Sequence, residues 1–506
     1  MNKQKNQLRA GVILSYINLG ISFVIPFLYT PVMLRMLGQD EYGLYTLASS
    51  VISYLTLLTF GFGSTIIRYL SKYRAEENMD GIQKTFGLFL CLYTIAAIIV
   101  LLLGTIISFN VKWIFHKGLT STEIDKIHIL ILIMTFNTAI SFPISVFSSI
   151  ITAYERYIYR KVIDMISTVA APIFNLIALY MGFTSIGMSL TSTILQLAML
   201  PLNMLYCFRI LRIYPKFGKI PCGILKEMLG FSFYAFLGTL VDLLFWSTDK
   251  VILGMLTSSA AVAIYNVGGT FNNVVISLST SISGVLTPQI TGMVVTGADN
   301  SQLTELFIRI GRLQYLIIAL IISGFTVFGQ SFINLWAGSN YAEAYWVAIL
   351  TMFPLCIPLI QNTGLSIVIA QNKHKFRSEV YFAIAVVNVI STYLVVPYMG
   401  GIGAALCSCV SYLLGQGLIM NIYYYKITGI DVLLFWRNIG KMSVVPVCML
   451  FVGILLKRFF VITNWHIFLL MMFLYVIIYI VLMYLISMNE YEKNIIMSSL
   501  KKYVKK

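Results

Sequence analysis

Long apolar segments follow one another along almost the whole chain. The run IFLLMMFLYVIIYIVLMYLI (467–486) has no charged residue, and about 20 mostly apolar residues suffice for a helix to cross a bilayer. Of the 506 residues, 59% are hydrophobic and 11% charged, whereas a soluble domain has about 45–50% and 25%. The runs lack the alternation typical of barrel strands. An all-α polytopic membrane protein is therefore predicted.

The apolar runs predict about fourteen transmembrane helices, counting an uncleaved first span. The predicted spans cover about residues 10–34, 43–68, 86–109, 127–152, 162–181, 186–208, 230–256, 260–290, 311–336, 346–370, 379–398, 402–424, 443–462 and 466–487. An even number places both termini on one side of the membrane.

The lysines and arginines predict which side that is. Most of the 35 basic residues fall in loops on the side of the N-terminus, which the positive-inside rule assigns to the cytoplasm. The net charge of +16 then reflects loop anchors beside anionic lipid. No base-stacking motif accompanies these cations, so a nucleic-acid partner is not expected.

Paired motifs indicate an internal repeat. The loop AYERYIYR (153–160) resembles AQNKHKFR (370–377), and YMGFTSIG (180–187) resembles YMGGIG (398–403), in the same order and at nearly the same offset. Six spans separate the copies, so the repeats are predicted to be parallel, as in transporters that alternate access. We predict a six-helix lobe over 1–225, a second over 226–425, and two added helices with a basic cytoplasmic tail over 426–506. Duplication for stability alone is the alternative.

Charges inside the predicted seventh span are the first candidates for a functional site. Asp242, Asp249 and Lys250 lie in LVDLLFWSTDKVILG (240–254), and a charge in hydrocarbon costs at least about 2.5 kcal/mol. The spacing of the carboxylates predicts one helix face, lining a wet passage. Asp242 is a candidate for ion coupling, as is Asp164. An internal ion pair that only orients the helix is the alternative.

Two arginines of the first half are candidates for anion binding. Arg35 and Arg68 lie near opposite ends of the first two spans. A guanidinium binds phosphate through two hydrogen bonds, so both residues could line the mouths of a passage. Anchoring at the membrane surface is the alternative.

The predicted eighth span is polar for a membrane helix. It carries Asn272, Asn273 and Gln289 among several hydroxyl residues, and Asn362 in the tenth span is a further buried-polar candidate. Such a helix presents amides and hydroxyls either to a polar substrate or to neighbouring helices.

The sequence contains no motif that predicts an enzyme active site or a cofactor-binding site. The predicted outer loops are short, and Asp40 and Glu41, the one pair of adjacent outer carboxylates, are expected in a solvated turn. There is no GxxxxGK[ST] or HExxH motif and no acidic metal cluster, and the seven cysteines fit neither a disulfide framework nor a metal site. We expect no catalytic residue, metal or cofactor. With no ATP site, transport would be driven by an ion gradient, the membrane potential or the substrate gradient.

Five motifs stand in order along the chain: LGQDEYGLY (37–45), FGFGSTIIRYLSKY (60–73), STDKVILG (247–254), LWAGSNYAEAYWVAIL (335–350) and PYMGGIGAALCSCVSYLL (397–414). Together they resemble those of bacterial polysaccharide flippases, of the O-antigen and capsule type, in the multidrug/oligosaccharidyl-lipid/polysaccharide exporter superfamily. The likeness covers essentially the whole chain.

The resemblance implies a V-shaped pair of six-helix lobes around a cationic cavity. It implies transport of a polyprenyl-pyrophosphate-linked oligosaccharide from the cytoplasmic to the outer leaflet of the bacterial inner or plasma membrane. Arg68, Asp249 and Lys250 fall at family-like positions. The expected partners are this substrate, membrane lipids, a polysaccharide polymerase and glycosyltransferases, and the protein is expected to be a monomer. The alternatives are a cation-coupled multidrug exporter of the same superfamily and a membrane polysaccharide polymerase or ligase.

Overall fold

The computed structural model describes residues 2–218, 222–371, 373–457, 462, 464–494 and 497. This part of the chain is almost entirely helical and contains no strand. The helices are α1 (Asn2–Leu37), α2 (Gln39–Leu55), α3 (Phe62–Ala75), α4 (Met79–Phe109), α5 (Val111–Phe115), α6 (Ser121–Ala153), α7 (Tyr157–Tyr180), α8 (Ser185–Leu205), α9 (Cys222–Trp246), α10 (Thr248–Leu256), α11 (Ser259–Val295), α12 (Asn300–Trp336), α13 (Ala344–Ile360), α14 (Asn362–Ala370), α15 (His374–Tyr412), α16 (Met420–Tyr423), α17 (Val432–Lys457) and α18 (Trp465–Leu482).

Within the described residues, 11 helices are long and apolar enough to cross a membrane, or 12 if the bent pair α13–α14 forms one span. One of the 11 is a helical run of 54 residues, Lys375–Thr428, which exceeds twice the length that a bilayer needs. Gly400 breaks this run with φ 55° and ψ −139°, between the predicted spans 379–398 and 402–424. The break favours two crossings there, and the total of fourteen stays a prediction.

Local sequence explains where several helices begin. Thr120 caps α6 in a capping box with Glu123, and Asp299 with Gln302 does the same for α12. These side chains satisfy backbone N–H groups that have no partner within the helix. Gly38 precedes α2 with φ 81°, a conformation that glycine adopts without steric cost.

Both copies of the sequence repeat have similar backbone breaks. α6 ends at Ala153 and α14 at Ala370, and in each case three residues separate the helix from the next one. The two YMG motifs place their glycines, Gly182 and Gly400, at positive φ. The matching positions of these breaks support the internal repeat that the motifs predict.

The described helices form two compact units, residues 1–263 and 264–506. In the first unit, α4 packs on α6 around buried aromatic rings: Tyr93 meets Phe142 edge-on with ring centroids 5.8 Å apart, and Phe86 meets Phe147 at 5.6 Å. Large apolar side chains on the outer face of α4, such as Leu102 and Ile106, are exposed, as lipid-facing positions require.

The second unit is organised around α12. Phe307 of α12 contacts Phe435 of α17 with ring centroids 4.5 Å apart. Further along α12, a buried cluster includes Val327, Met442 and Tyr479. The two added C-terminal helices, α17 and α18, therefore pack on a helix that belongs to the predicted second lobe.

Candidate functional site

The charged segment 240–254 is not one continuous helix. α9 ends at Trp246 and α10 begins at Thr248, with Ser247 between them. Asp242 on α9 is exposed, whereas Asp249 in the first turn of α10 is 0% exposed. Lys250 is half-buried and interacts electrostatically with Asp249. The break separates the two carboxylates that the sequence places on one face, and it gives them different surroundings.

Hydroxyl contacts join α9 and α10 to the first helices of the same unit. Ser53 of α2 donates to Ser247 with 3.1 Å between their Oγ atoms. The hydroxyls of Tyr54 and Thr248 are hydrogen-bonded as well. On the α3 side, the hydroxyl oxygens of Thr65 and Ser232 lie 2.8 Å apart. Each such neutral bond contributes only about 0.5–1.5 kcal/mol net. These bonds fix how α9 and α10 meet α2 and α3, yet they are weak enough to break when the helices move apart.

Both candidate arginines are exposed. Arg35 lies in the last turn of α1, and Arg68 lies on α3 next to the buried residue Tyr69. Tyr69 interacts electrostatically with both Arg68 and Glu227. Exposed guanidinium groups on membrane-embedded helices are suited to bind an anion.

Asp164 is part of a local ion pair. Its carboxylate lies 3.3 Å from Arg160, one helical turn away on α7. Arg160 also donates to Ser148 of α6 at 2.6 Å. These contacts fix α7 beside α6, and the predicted coupling role of Asp164 remains a prediction.

Some polar side chains of α11 pack against neighbouring helices, and others are exposed. Asn272 is buried and donates to Thr351 of α13 at 2.9 Å, whereas Asn273 and Gln289 are exposed. Asn362 is half-buried and donates to Ser279 at 3.4 Å. The amides that the sequence singled out therefore divide between interhelical bonds and surfaces open to a polar ligand.

A polar pocket that the sequence did not predict lies at the start of α2 and α6. It has a volume of about 610 Å³ and is lined by Asp40, Glu41, Glu123, Lys126 and Ser259, among others. Ser259 donates to Asp40 at 3.3 Å and to Glu123.

The prediction that Glu41 lies in a solvated turn is wrong. Its side chain is 15% exposed, pairs with Lys126 and accepts a hydrogen bond from Ser185 at 2.6 Å. Lys126 and Ser185 lie 85 and 144 positions away in the chain. The local sequence around Glu41 therefore could not predict these two partners.

No three His, Cys, Asp or Glu side chains come together as a metal site in the part of the chain that the structure describes. The candidate residues are thus exposed arginines in the first unit and amides in the second. The first unit also has the contact between hydroxyl groups and the ionic cluster around Glu41 and Lys126. Such groups can bind an anionic, hydroxyl-rich molecule, and none of them forms a nucleophile–base pair.

Comparison with known proteins identifies relatives in membrane transport. A family model described as polysaccharide biosynthesis protein matches residues 8–294. An uncharacterized membrane protein of Methanocaldococcus jannaschii is 23% identical over 403 residues, covering 76% of this chain and 79% of that protein. A candidate O-antigen transporter of Escherichia coli K12 is 20% identical over 424 residues, covering 80% of this chain and 94% of that protein.

Solved structures show the same fold. The lipid II flippase MurJ, in an inward closed conformation, matches with a TM-score of 0.73 at 16% identity, over 93% of this chain and 97% of that one. An inward-facing multidrug resistance MATE transporter of the MOP superfamily matches with a TM-score of 0.63 at 13% identity, over 79% and 96%. At these identities the likeness establishes the fold alone.

Proposed function

The chain belongs to the polysaccharide biosynthesis protein family, and from this premise we propose that it translocates a polyprenyl-pyrophosphate-linked oligosaccharide across the bacterial plasma membrane. The substrate would move from the cytoplasmic to the outer leaflet during surface polysaccharide synthesis. The observation that carries the proposal is the family match over residues 8–294, joined to a fold shared with a lipid II flippase.

The candidate residues suit the chemistry of that substrate. A pyrophosphate is doubly anionic and binds guanidinium groups through charge-assisted hydrogen bonds, which is the role proposed for exposed Arg35 and Arg68. Sugar hydroxyls pair with amides, and Asn273, Gln289 and Asn362 offer these, with Asn272 holding α11 behind them. The prenyl tail would stay in lipid.

The proposed mechanism is alternating access between two lobes, 1–225 and 226–425, with 426–506 as an added helix pair and both termini cytoplasmic. Asp242, Asp249 and Lys250 would handle the headgroup or a coupling ion, and Asp164 is the further coupling candidate. The protein would act as a monomer, without catalysis or a cofactor, beside glycosyltransferases and a polymerase.

The test is lipid exchange in proteoliposomes. Vesicles would contain a fluorescent polyprenyl-pyrophosphoryl oligosaccharide, and an added membrane-impermeant quencher would report label reaching the outer leaflet. We expect rapid loss of protected fluorescence with the protein and slow loss in protein-free vesicles. A labelled phosphatidylcholine is the matched control, and it should not be accelerated.

Two results would contradict the proposal. Equal rates with and without protein, over a panel of sugar lipids, would refute flipping. Cation-driven uptake of a lipophilic cationic dye without lipid exchange would favour the drug exporter.

A further inference from the structure

The second membrane span is broken near its middle. The span Gln39–Ala75 consists of α2 and α3, which are joined by a 3-10 turn at Thr56–Thr59. Phe60 and Gly61 follow this turn with φ values of 45° and 65°, both in the left-handed region. Glycine adopts this conformation without steric cost, whereas phenylalanine is strained in it. By the predicted topology, the break divides the span into an outer arm, α2, and an inner arm, α3.

Hydroxyl groups at the break bind its own carbonyl groups. Thr56 Oγ1 donates to Ser53 O at 2.6 Å, and Thr59 Oγ1 donates to Thr56 O at 2.8 Å. After the break, Ser64 Oγ donates to Gly61 O at 3.0 Å. Backbone groups without a partner are costly in lipid, and these bonds offset part of that cost within the span itself. The break therefore does not depend only on contacts with other helices.

The outer arm packs closely on α10 and the start of α11. A Cβ on Gly43 would lie 1.9 Å from Ser259 O, and a Cβ on Gly254 would lie 2.4 Å from a side chain of α2. Nearer the break, Ser53 donates to Ser247 at 3.1 Å. We call this set of contacts the outer contact.

The inner arm packs on α9. The hydroxyl oxygens of Thr65 and Ser232 lie 2.8 Å apart, and both side chains are buried. At the break itself, the ring of Phe60 stacks on that of Phe236 with centroids 5.2 Å apart. We call this set the inner contact. Because the partner span is also interrupted, at Ser247, each arm has a separate helix as its partner.

We propose that the segment 56–61 is a hinge, at which the outer contact opens while the inner contact stays closed, and the reverse. A few residues at the ends of helices can absorb the changes of φ and ψ that such a motion needs. The interruption at Ser247 gives the partner span the same freedom. The use of this hinge in transport rests on the proposed function, whereas the independence of the two contacts does not.

The experiment locks the inner contact and measures opening of the outer one. In the full chain without its native cysteines, Thr65→Cys with Ser232→Cys should form a disulfide on oxidation, since the native oxygens are 2.8 Å apart. Ser247→Cys is the reporter, because Ser247 is 7% exposed and a maleimide reaches it when the outer contact opens. Mass spectrometry of peptides measures the labelling rate in lipid nanodiscs. We expect rates within about twofold before and after oxidation.

The reverse experiment locks the outer contact. Ser53→Cys with Ser247→Cys forms the lock, and Ser232→Cys, at a side chain 1% exposed, is the reporter. The same small effect of oxidation is expected. Thr65→Cys with Ser247→Cys cannot form the inner lock and controls for the oxidant. If the first inner lock prevents folding, Phe60→Cys with Phe236→Cys replaces it.

Two results would overturn the hinge. A lock at either contact that slows labelling at the other by about tenfold or more would show that the span opens as one body. No labelling of either reporter in the reduced protein would show that the contacts do not open. Neither measurement uses lipid exchange, so loss of the hinge leaves the test of flipping intact, and absence of exchange would leave the hinge in place.

Discussion

Arg312 of α12 and Glu492, 180 positions apart in the chain, form a buried ion pair with two hydrogen bonds. The Nε–Oε1 distance is 2.6 Å and the Nη2–Oε2 distance is 2.9 Å, with side chains 7% and 2% exposed. Arg312 also donates to Ser487 O at 3.0 Å, and Arg309 lies over the ring of Tyr491. These contacts tie the segment after α18 to α12, so the added helix pair is anchored at its C-terminal end.

Removal of one member of this pair should destabilise the protein strongly. Glu492→Ala leaves the Arg312 charge buried without compensation, which costs about 3–5 kcal/mol. The free energy of unfolding in detergent measures the loss. Glu490→Gln, at a side chain 89% exposed, is the control and should change it by less than about 0.5 kcal/mol.

A double replacement separates charge burial from packing. Arg312→Met with Glu492→Leu removes both charges and should recover most of the stability that Glu492→Ala loses. Equal stability of Glu492→Ala and the wild type would show that the segment after α18 is not anchored by this pair.

A close backbone contact makes Gly43 sensitive to substitution. A Cβ at Gly43 would lie 1.9 Å from Ser259 O, so Gly43→Ala must push α2 away from the start of α11. We expect a loss of about 1–3 kcal/mol, as for overpacked cores. Gly269→Ala has nothing within 4 Å of the added carbon and should be neutral or stabilising by up to about 1 kcal/mol. Similar thermal stability of both variants would contradict the contact.

Cysteine cross-linking tests the contact between α2 and α10. Ser53→Cys with Ser247→Cys, in a chain without its native cysteines, should form a disulfide on mild oxidation because the hydroxyl oxygens are 3.1 Å apart. Mass spectrometry of the linked peptides measures the yield, and each single variant is the control. Absence of the linked peptide in the folded double variant would place the two helices further apart than the structure does.

Loss of Arg68 should slow transport more than loss of an exposed cation at the start of α15. A hydrogen bond to a charged group contributes about 1.5–3 kcal/mol, so Arg68→Ala should reduce lipid exchange by about 10- to 100-fold. Lys375→Ala removes a cation from a side chain 88% exposed and should leave the rate unchanged. Asp242→Asn, compared with Glu490→Gln, tests the carboxylate in the same assay. Equal rates for Arg68→Ala, Asp242→Asn and their controls would remove both residues from the proposed site.

The sequence predicted the membrane class because hydrocarbon imposes long apolar runs, and the structure has apolar helices at these runs. It did not predict the interruption at Ser247, since a break of one residue leaves the composition of a span unchanged. The environment of Glu41 was missed because Lys126 and Ser185 come from helices that only the fold brings near. Arg312 and Glu492 were missed for the same reason, as no local spacing links positions on either side of six helices.

The polar amides show a finer limit. Asn272 and Asn273 are adjacent in the sequence and equally polar, yet one is buried against Thr351 and the other is exposed. Successive side chains of a helix point about 100° apart. Which of the two asparagines is buried therefore depends on which face of α11 is covered by α13. Sequence composition identified α11 as unusual, and only the packing assigned each side chain.

In the proposed mechanism α2, of the predicted lobe 1–225, separates from α10, of the predicted lobe 226–425, as access alternates. The most direct test therefore measures lipid exchange in one sample whose α2–α10 contact is locked and then released. Proteoliposomes of the Ser53→Cys/Ser247→Cys chain would be assayed after oxidation and again after reduction, beside the single variants. The account predicts slow, protein-independent exchange of the polyprenyl-pyrophosphoryl oligosaccharide when oxidised, and rapid exchange after reduction. Rapid exchange in the fully cross-linked protein would contradict transport through opening of this contact, and no exchange in any reduced sample would contradict flipping itself.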